Sequence, residues 1–290
     1  MKMHGFLGLS VLCGLAALAT PASAAYPNGG IATTSVSNVA NATFRTVNSE
    51  LTRKGGFIFT THFSNYWAEN IVFAKSRANE QGKVFTSPLG SRFMGPDSGF
   101  NLYVPPGATF GADVSFNILY FPPGSQNVFN VTAGATNKEA NWVYVDHPLA
   151  NGNPRAVLTV QQLAQYGVGA PPPRFYGVWY HSARQRWAIF HQDTTVPMAN
   201  GEGFDVFVAP ESSSTFTVIA NANNTRGNAV LIGSSLRCGK LIVTPNYAPR
   251  AVYNNHPVGV RVDPDSHVIF NEDNAPMPPG AAFNVVCDSY

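Results

Sequence analysis

The chain has 290 residues, with 18 lysines and arginines against 16 aspartates and glutamates. That near-balance, with no basic cluster, argues against a nucleic-acid partner, which needs a cationic stripe to offset phosphate. Its 26 glycines, 22 prolines and 12% aromatic content describe turns and strands rather than helices.

Lys2 opens a positive end, residues 6–18 are mostly apolar, and Ala22-Ser23-Ala24 is a small-residue cleavage site, so residues 1–24 read as a signal peptide. The apolar run falls short of the roughly 20 residues a spanning helix needs, and no later stretch approaches it. The expectation is an exported protein, periplasmic or extracellular, without a membrane span. Residues 25–35 read as a flexible lead. An N-terminal β-module follows over 36–124, with strand signals at 56–61, 71–74, 84–86, 100–104 and 114–120. Pro105-Pro106-Gly107 and Pro122-Pro123-Gly124 end two of these strands as turns. Further strands are expected at 156–160 and 240–244. The one helix candidate, residues 160–166, is long enough for a turn or two.

Two later stretches repeat one another, which divides the rest into modules over 125–209 and 210–290. Gly177 falls on Gly259, Ile189 and Phe190 on Ile269 and Phe270, Asp193 on Asp273, Met198 on Met277, Gly201 on Gly280, and Phe204 on Phe283. Packing and turn geometry explain these residues: a strand covered on both faces, a carboxylate that accepts backbone N–H groups at its end, then a return into a closing strand. A degenerate third copy fits the N-terminal module, with Leu102 on Ile269, Phe110 on Met277 and Phe116 on Phe283, but its glycines find no counterpart. The expected class is all-β, as tandem small sandwich-like modules. Beyond the signal, Cys238 and Cys287 are the only cysteines and, in an oxidising compartment, are expected to form a disulfide.

No nucleophile elbow, zinc-binding helix, P-loop, dinucleotide fingerprint or paired-cysteine motif is present. Asp263, Asp265 and His267, two apart, would share one strand face and could hold a cation; the alternative is an ordinary hairpin turn. His191 and Asp193 could form an acid–base pair or simply end a strand. The aromatics are more suggestive. Trp179, Tyr180 and Trp187 are replaced in the last copy by Arg261, Val262 and His267. Core positions keep their character between copies, so Trp179 and Trp187 are expected to be partly exposed, and with Tyr180 and Trp142 they form a candidate sugar-stacking platform. The alternative is rings that cover a core rim.

Four pieces carry a resemblance: residues 151–158 (NGNPRAVL), 253–260 (YNNHPVGV), 187–193 (WAIFHQD) and 277–285 (MPPGAAFNV). Together they resemble a tandem β-repeat family of exported bacterial proteins of unknown function, which implies neither catalytic residues nor a cofactor. The functional expectation is a secreted, non-catalytic protein that binds glycans, a surface component or another protein. The alternatives are a hydrolase sited between modules, for which Glu202, Glu211 or Glu272 would have to approach a histidine, and a structural envelope component.

Overall fold

In the computed structural model the described residues are 30–33, 44–47, 56–64, 85–95, 99–110, 114–164, 171–233, 238–263 and 266–288. The signal segment, the strand signal at 71–74 and Asp265 lie outside them. Every regular element among the described residues is a strand. The first module holds β1 (Gly30–Thr33), β2 (Phe44–Val47), β3 (Phe57–Phe63), β4 (Gly90–Gly95), β5 (Gly99–Tyr103) and β6 (Ser115–Phe121). The second holds β7 (Val128–Thr132), β8 (Lys138–Glu139), β9 (Trp142–Tyr144), β10 (Val157–Gln162), β11 (Tyr176–His181), β12 (Arg186–His191) and β13 (Gly203–Ala209). The third repeats this with β14 (Thr215–Ile219), β15 (Thr225–Arg226), β16 (Ala229–Ile232), β17 (Lys240–Pro245), β18 (Val258–Asp263), β19 (Ser266–Asn271) and β20 (Ala282–Asp288).

Each module is a two-sheet sandwich. One sheet runs β7-β13-β10 in the second module and β14-β20-β17 in the third; the other runs β8-β9-β12-β11 and β15-β16-β19-β18. The first module matches with β1-β6-β3 and β2-β5-β4, so its described strands form a third copy of the same two sheets. Registers agree up to a bulge between Phe93 and Gly95 of the first copy. Gly90 opposes Tyr103 as Gly177 opposes Phe190 and Gly259 opposes Phe270. This places Leu102 on Ile269, as expected, and corrects the view that the first copy's glycines find no counterpart. Phe110, Met198 and Met277 each enter their own module's core. Gly30–Thr33 pairs with β6, so the module begins inside the expected flexible lead. Phe85 and Thr86 belong to no strand.

The modules close into a ring with approximate threefold symmetry. The Ala164 N–H, at the end of β10, donates to the Ser91 carbonyl of β4 (2.8 Å). Tyr247, after β17, donates likewise to Val178 of β11 (2.9 Å), and Ser64, after β3, to Val260 of β18 (2.9 Å). Each seam thus sets a β4-type strand beside the β3-type strand of the next module, and the third module docks on the first. There β3 and β18 pair in parallel and merge two sheets into one of seven strands. The β3-type strands are also linked in a cycle. Thr60 N–H donates to Gln161 Oε1 (3.1 Å), Val160 N–H to Thr244 Oγ1 (3.2 Å), and Val243 N–H to Thr61 Oγ1 (2.9 Å).

A separate hydrophobic cluster fills the centre, with Phe59, Leu119, Phe121, Phe207, Ile242 and Val286 among its members. It explains why β10 and β13 are buried at every position: one face packs in the module and the other on the axis. Gln161 and Gln162 belong to this buried strand, which corrects the helix expected over 160–166. A strand buried on both faces carries no strict apolar–polar alternation to announce it.

Cys238 and Cys287 form the expected disulfide, 49 residues apart in sequence. Its reduction, or Cys238→Ser with Cys287→Ser, is expected to cost about 4 kcal/mol in the chain-entropy account, read from urea unfolding with and without reductant.

Candidate functional site

Alternation along β9, β11 and β12 sorts the aromatics of the second module onto two faces. Val143, Val178, Trp187 and Ile189 enter the core, with Tyr180 packed against them. Trp142 and Tyr144 of β9, Trp179 and His181 of β11, and Phe190 of β12 take the opposite, outer face.

The outer rings touch in sequence. Trp142 meets Trp179 edge-on at 5.7 Å, Trp179 stacks on His181 at 4.6 Å, and His181 stacks on Tyr144 at 5.9 Å. The Arg184 guanidinium covers Tyr144 at 5.2 Å. The Tyr144 hydroxyl donates to Glu139 (3.0 Å) and lies 3.0 Å from His181 Nδ1. Burial raises the Tyr144 phenol above its ordinary value, so the ring stays neutral. A groove of about 330 Å³ runs beside Tyr144, lined also by Thr136, Asn137, Arg184 and Arg186. On the other side, register places Phe190 beside Trp142, and Phe190 meets Tyr253 at 5.7 Å. Tyr253 is exposed and packs on Tyr247 at 4.5 Å, so the row of rings continues onto the third module.

Of the four aromatics singled out by sequence, the structure therefore brings Trp142 and Trp179 together on the outer face and sends Trp187 and Tyr180 inward. Trp187 is 1% exposed, and its indole N–H donates to the Asn153 carbonyl (2.9 Å). This corrects the expected exposure. His267 is the counterpart of Trp187, and its Nε2 bonds the Cys238 carbonyl (2.7 Å). A ring-to-carbonyl bond is what the two copies share, and either indole or imidazole supplies it. Sequence reasoning did not place His181 or Arg184 beside these rings; the usable signal was strand alternation, which pairs Trp179 with His181 rather than with Tyr180.

The third module does not repeat the platform. Ala229, Val268 and Phe270 form a buried apolar cluster with Leu231 on the matching face. Arg261, in place of Trp179, lies over Phe270 and donates to Asp263 (2.9 Å). Asp263 thus points outward with Arg261, whereas His267 points inward. These two members of the candidate cation set do not converge, and no cluster of three potential ligands occurs among the described residues.

The carboxylate–histidine pairs sort as follows. Asp193 accepts the Thr195 N–H (3.0 Å) and Asp273 the Ala275 N–H (3.1 Å), the turn role expected of both. The partner of His191 is Glu202, not Asp193, at 2.7 Å from Nε2, while Nδ1 lies 3.2 Å from the Val196 carbonyl. Glu202 also accepts from Gln162 (2.6 Å) and the Ala199 N–H (3.2 Å). This pair is buried and internally saturated, which leaves nothing to act on a substrate. Glu211 instead pairs with exposed Arg155. Glu272 pairs with His62 across the seam between the third and first modules. No serine or cysteine among the described residues hydrogen-bonds either histidine.

A family model described as a domain of unknown function (DUF7452) matches residues 96–171 and 177–287, more than half of the chain. The first match runs from β5 of the first module through β10 of the second, so it crosses a module boundary. Neither a curated protein nor a solved structure matches.

Proposed function

The chain belongs to the DUF7452 family, whose description assigns no activity, and from the residues themselves we propose an exported, non-catalytic protein that binds glycan chains on the outer face of its second module. The partly exposed rings of His181, Trp179 and Trp142, with exposed Tyr253 beyond them, carry this reading; Tyr144 and Phe190 are buried and support them from behind. Sugar rings present C–H faces that stack on such aromatics, and the ion pairs Arg184–Glu139 and Arg186–Asp146 border the adjoining groove, where their remaining N–H and oxygen sites can meet hydroxyl groups. The disulfide and the signal-like first 24 residues support export, and no helix among the described residues is long and apolar enough to cross a membrane. A hydrolase is less well supported: the His191–Glu202 pair is saturated by its own surroundings, and no serine or cysteine among the described residues hydrogen-bonds His191 or His62.

Among the described residues the third module does not repeat the platform, so binding is expected to be one-to-one rather than to gain the avidity of equal copies. Retention on insoluble polysaccharides and on a glycan array tests this. Trp142→Ala and Trp179→Ala are each expected to weaken retention about tenfold with little change in melting temperature. Trp187→Ala is expected instead to cost about 3–5 kcal/mol of stability, as for any large ring removed from a core. Failure of every immobilised polysaccharide to retain the intact protein would overturn the glycan reading.

A further inference from the structure

His181 closes β11 on the outer face of the second module, opposite Arg186 of β12. Its ring is clamped between the rings of Trp179 and Tyr144, at 4.6 and 5.9 Å and within 20° and 17° of parallel. Its Nδ1 lies 3.0 Å from the Tyr144 hydroxyl, and that hydroxyl lies 3.0 Å from Glu139 Oε2. The order of these contacts fixes where the hydrogens are. Glu139, half exposed and paired with Arg184 (3.4 Å), is a carboxylate and can only accept. The single hydrogen of the phenol therefore goes to Glu139. Toward His181 the phenol oxygen has only lone pairs left, so the hydrogen of that contact belongs to Nδ1. In a neutral imidazole one nitrogen donates and the other accepts, which leaves Nε2 with a lone pair.

That lone pair is available. Nε2 is open to solvent and has no hydrogen-bond partner among the described residues. Comparable groups elsewhere are occupied. His191 Nε2 is taken by Glu202 (2.7 Å) and His267 Nε2 by the Cys238 carbonyl (2.7 Å). Asp263, the matching residue of β18, is closed off by Arg261 (2.9 Å). A sugar hydroxyl both donates and accepts, whereas Arg184 and Arg186 of the adjoining groove are donors only. An acceptor set among the rings answers the other half of that requirement.

We propose that His181 Nε2 is the acceptor that selects a free sugar hydroxyl at the platform, with Tyr144 and Glu139 as positioning residues that hold its tautomer. The ligand class rests on the glycan reading; the tautomer does not. An O-methylated sugar would have no hydrogen to donate there.

Long-range ¹H–¹⁵N correlation of the full chain, labelled with ¹⁵N-histidine, reads the tautomer without a ligand at about pH 8, where an ordinary imidazole is neutral. The expected result is a His181 signal, identified by its loss in His181→Phe, with the proton on Nδ1. Tyr144→Phe removes the anchoring oxygen, and the proton is then expected to divide between the two nitrogens. A proton on Nε2 in the intact protein, or a tautomer unchanged in Tyr144→Phe, would overturn the proposal. Retention on insoluble cellulose, chitin and xylan tests the ligand. His181→Phe keeps a stacked ring and removes the acceptor, and is expected to weaken retention about fivefold, the worth of one neutral hydrogen bond. His181→Gln returns an acceptor near the Nε2 position and is expected to recover part of that loss. Equal retention of the intact protein and His181→Phe would sink the hydroxyl assignment and leave the glycan reading standing. Retention on none of the polysaccharides would overturn the glycan reading and, with it, the ligand named here.

Discussion

Gly259→Ala is expected to destabilise the protein by about 3–5 kcal/mol, the range for breaking a buried ion pair by displacing one partner. An alanine Cβ would lie 2.0 Å from Glu272 Oε1. The carboxylate would have to leave His62 and the Phe85 N–H, and both partners would stay buried without it. Gly259 also pairs with His62 in the parallel contact between β3 and β18, so the same change presses on the seam that closes the ring. The backbone there needs no glycine-only conformation; the requirement is space for another side chain. Gly233→Ala, in open surroundings, is the control and should change stability by less than about 0.5 kcal/mol. Equal urea midpoints for the two variants would contradict the account.

The second large effect has the opposite sign. Asp205→Asn is expected to stabilise the protein at neutral and alkaline pH. Register and the axial packing place Asp205 on the positions of Asn117 and Asn284 in the other modules. Asn117 donates to the Leu241 carbonyl (3.1 Å) and Asn284 to the Leu158 carbonyl (3.0 Å), each across a seam. The corresponding acceptor for Asp205 is the Ile58 carbonyl, and an ionised carboxylate has nothing to donate. Burial pushes the Asp205 carboxyl from 3.8 up to about 7, opposed by the amide of Asn130. The folded state therefore holds a proton that the unfolded state has already released. Below about pH 4 both states are protonated and the site costs nothing; stability falls as pH rises toward 7, by up to about 4 kcal/mol, and is level above that. Asparagine removes this slope. Unfolding of both proteins from pH 4 to 8 should show a gap that opens with pH; parallel curves would refute it.

The repeat was legible because its residues answer to local demands. Asp193 and Asp273 cap equivalent turns, and Gly201 and Gly280 both take positive φ (83° and 90°) in the return that follows. Phe204 and Phe283 fill equivalent core positions. Such requirements recur wherever the unit recurs, so two copies show them even at low overall similarity. Closure of the ring left no such trace. The contact between Ser64 and Val260 joins residues far apart in sequence, and its equivalents use different side chains because the bonds are made by backbone. The same holds for the cycle through Thr61, Gln161 and Thr244, where a hydroxyl and an amide do one job.

The platform was half legible. Substitution between copies predicted partial exposure for both Trp179 and Trp187; Trp179 is partly exposed and Trp187 is buried, since a core position can change its ring and keep its hydrogen bond. His62 and Glu272 gave no sequence signal as a pair: they belong to different modules, and neither has a titratable counterpart in the other copies.

The three seams of the ring are alike in geometry but not in connectivity. The chain itself crosses from the first module to the second and from the second to the third, so those two interfaces are tethered. The interface between third and first has no covalent crossing. It is also the one with two paired residues on each strand, where the others have a single bridge, and the one that carries the His62–Glu272 pair. This junction acts as the clasp of a bracelet. Were it to open, β3 and β18 would each present a free edge of the correct hand for the other, which a neighbouring molecule could supply as well as the same one. The strongest fastening lies where the chain offers no second line of restraint.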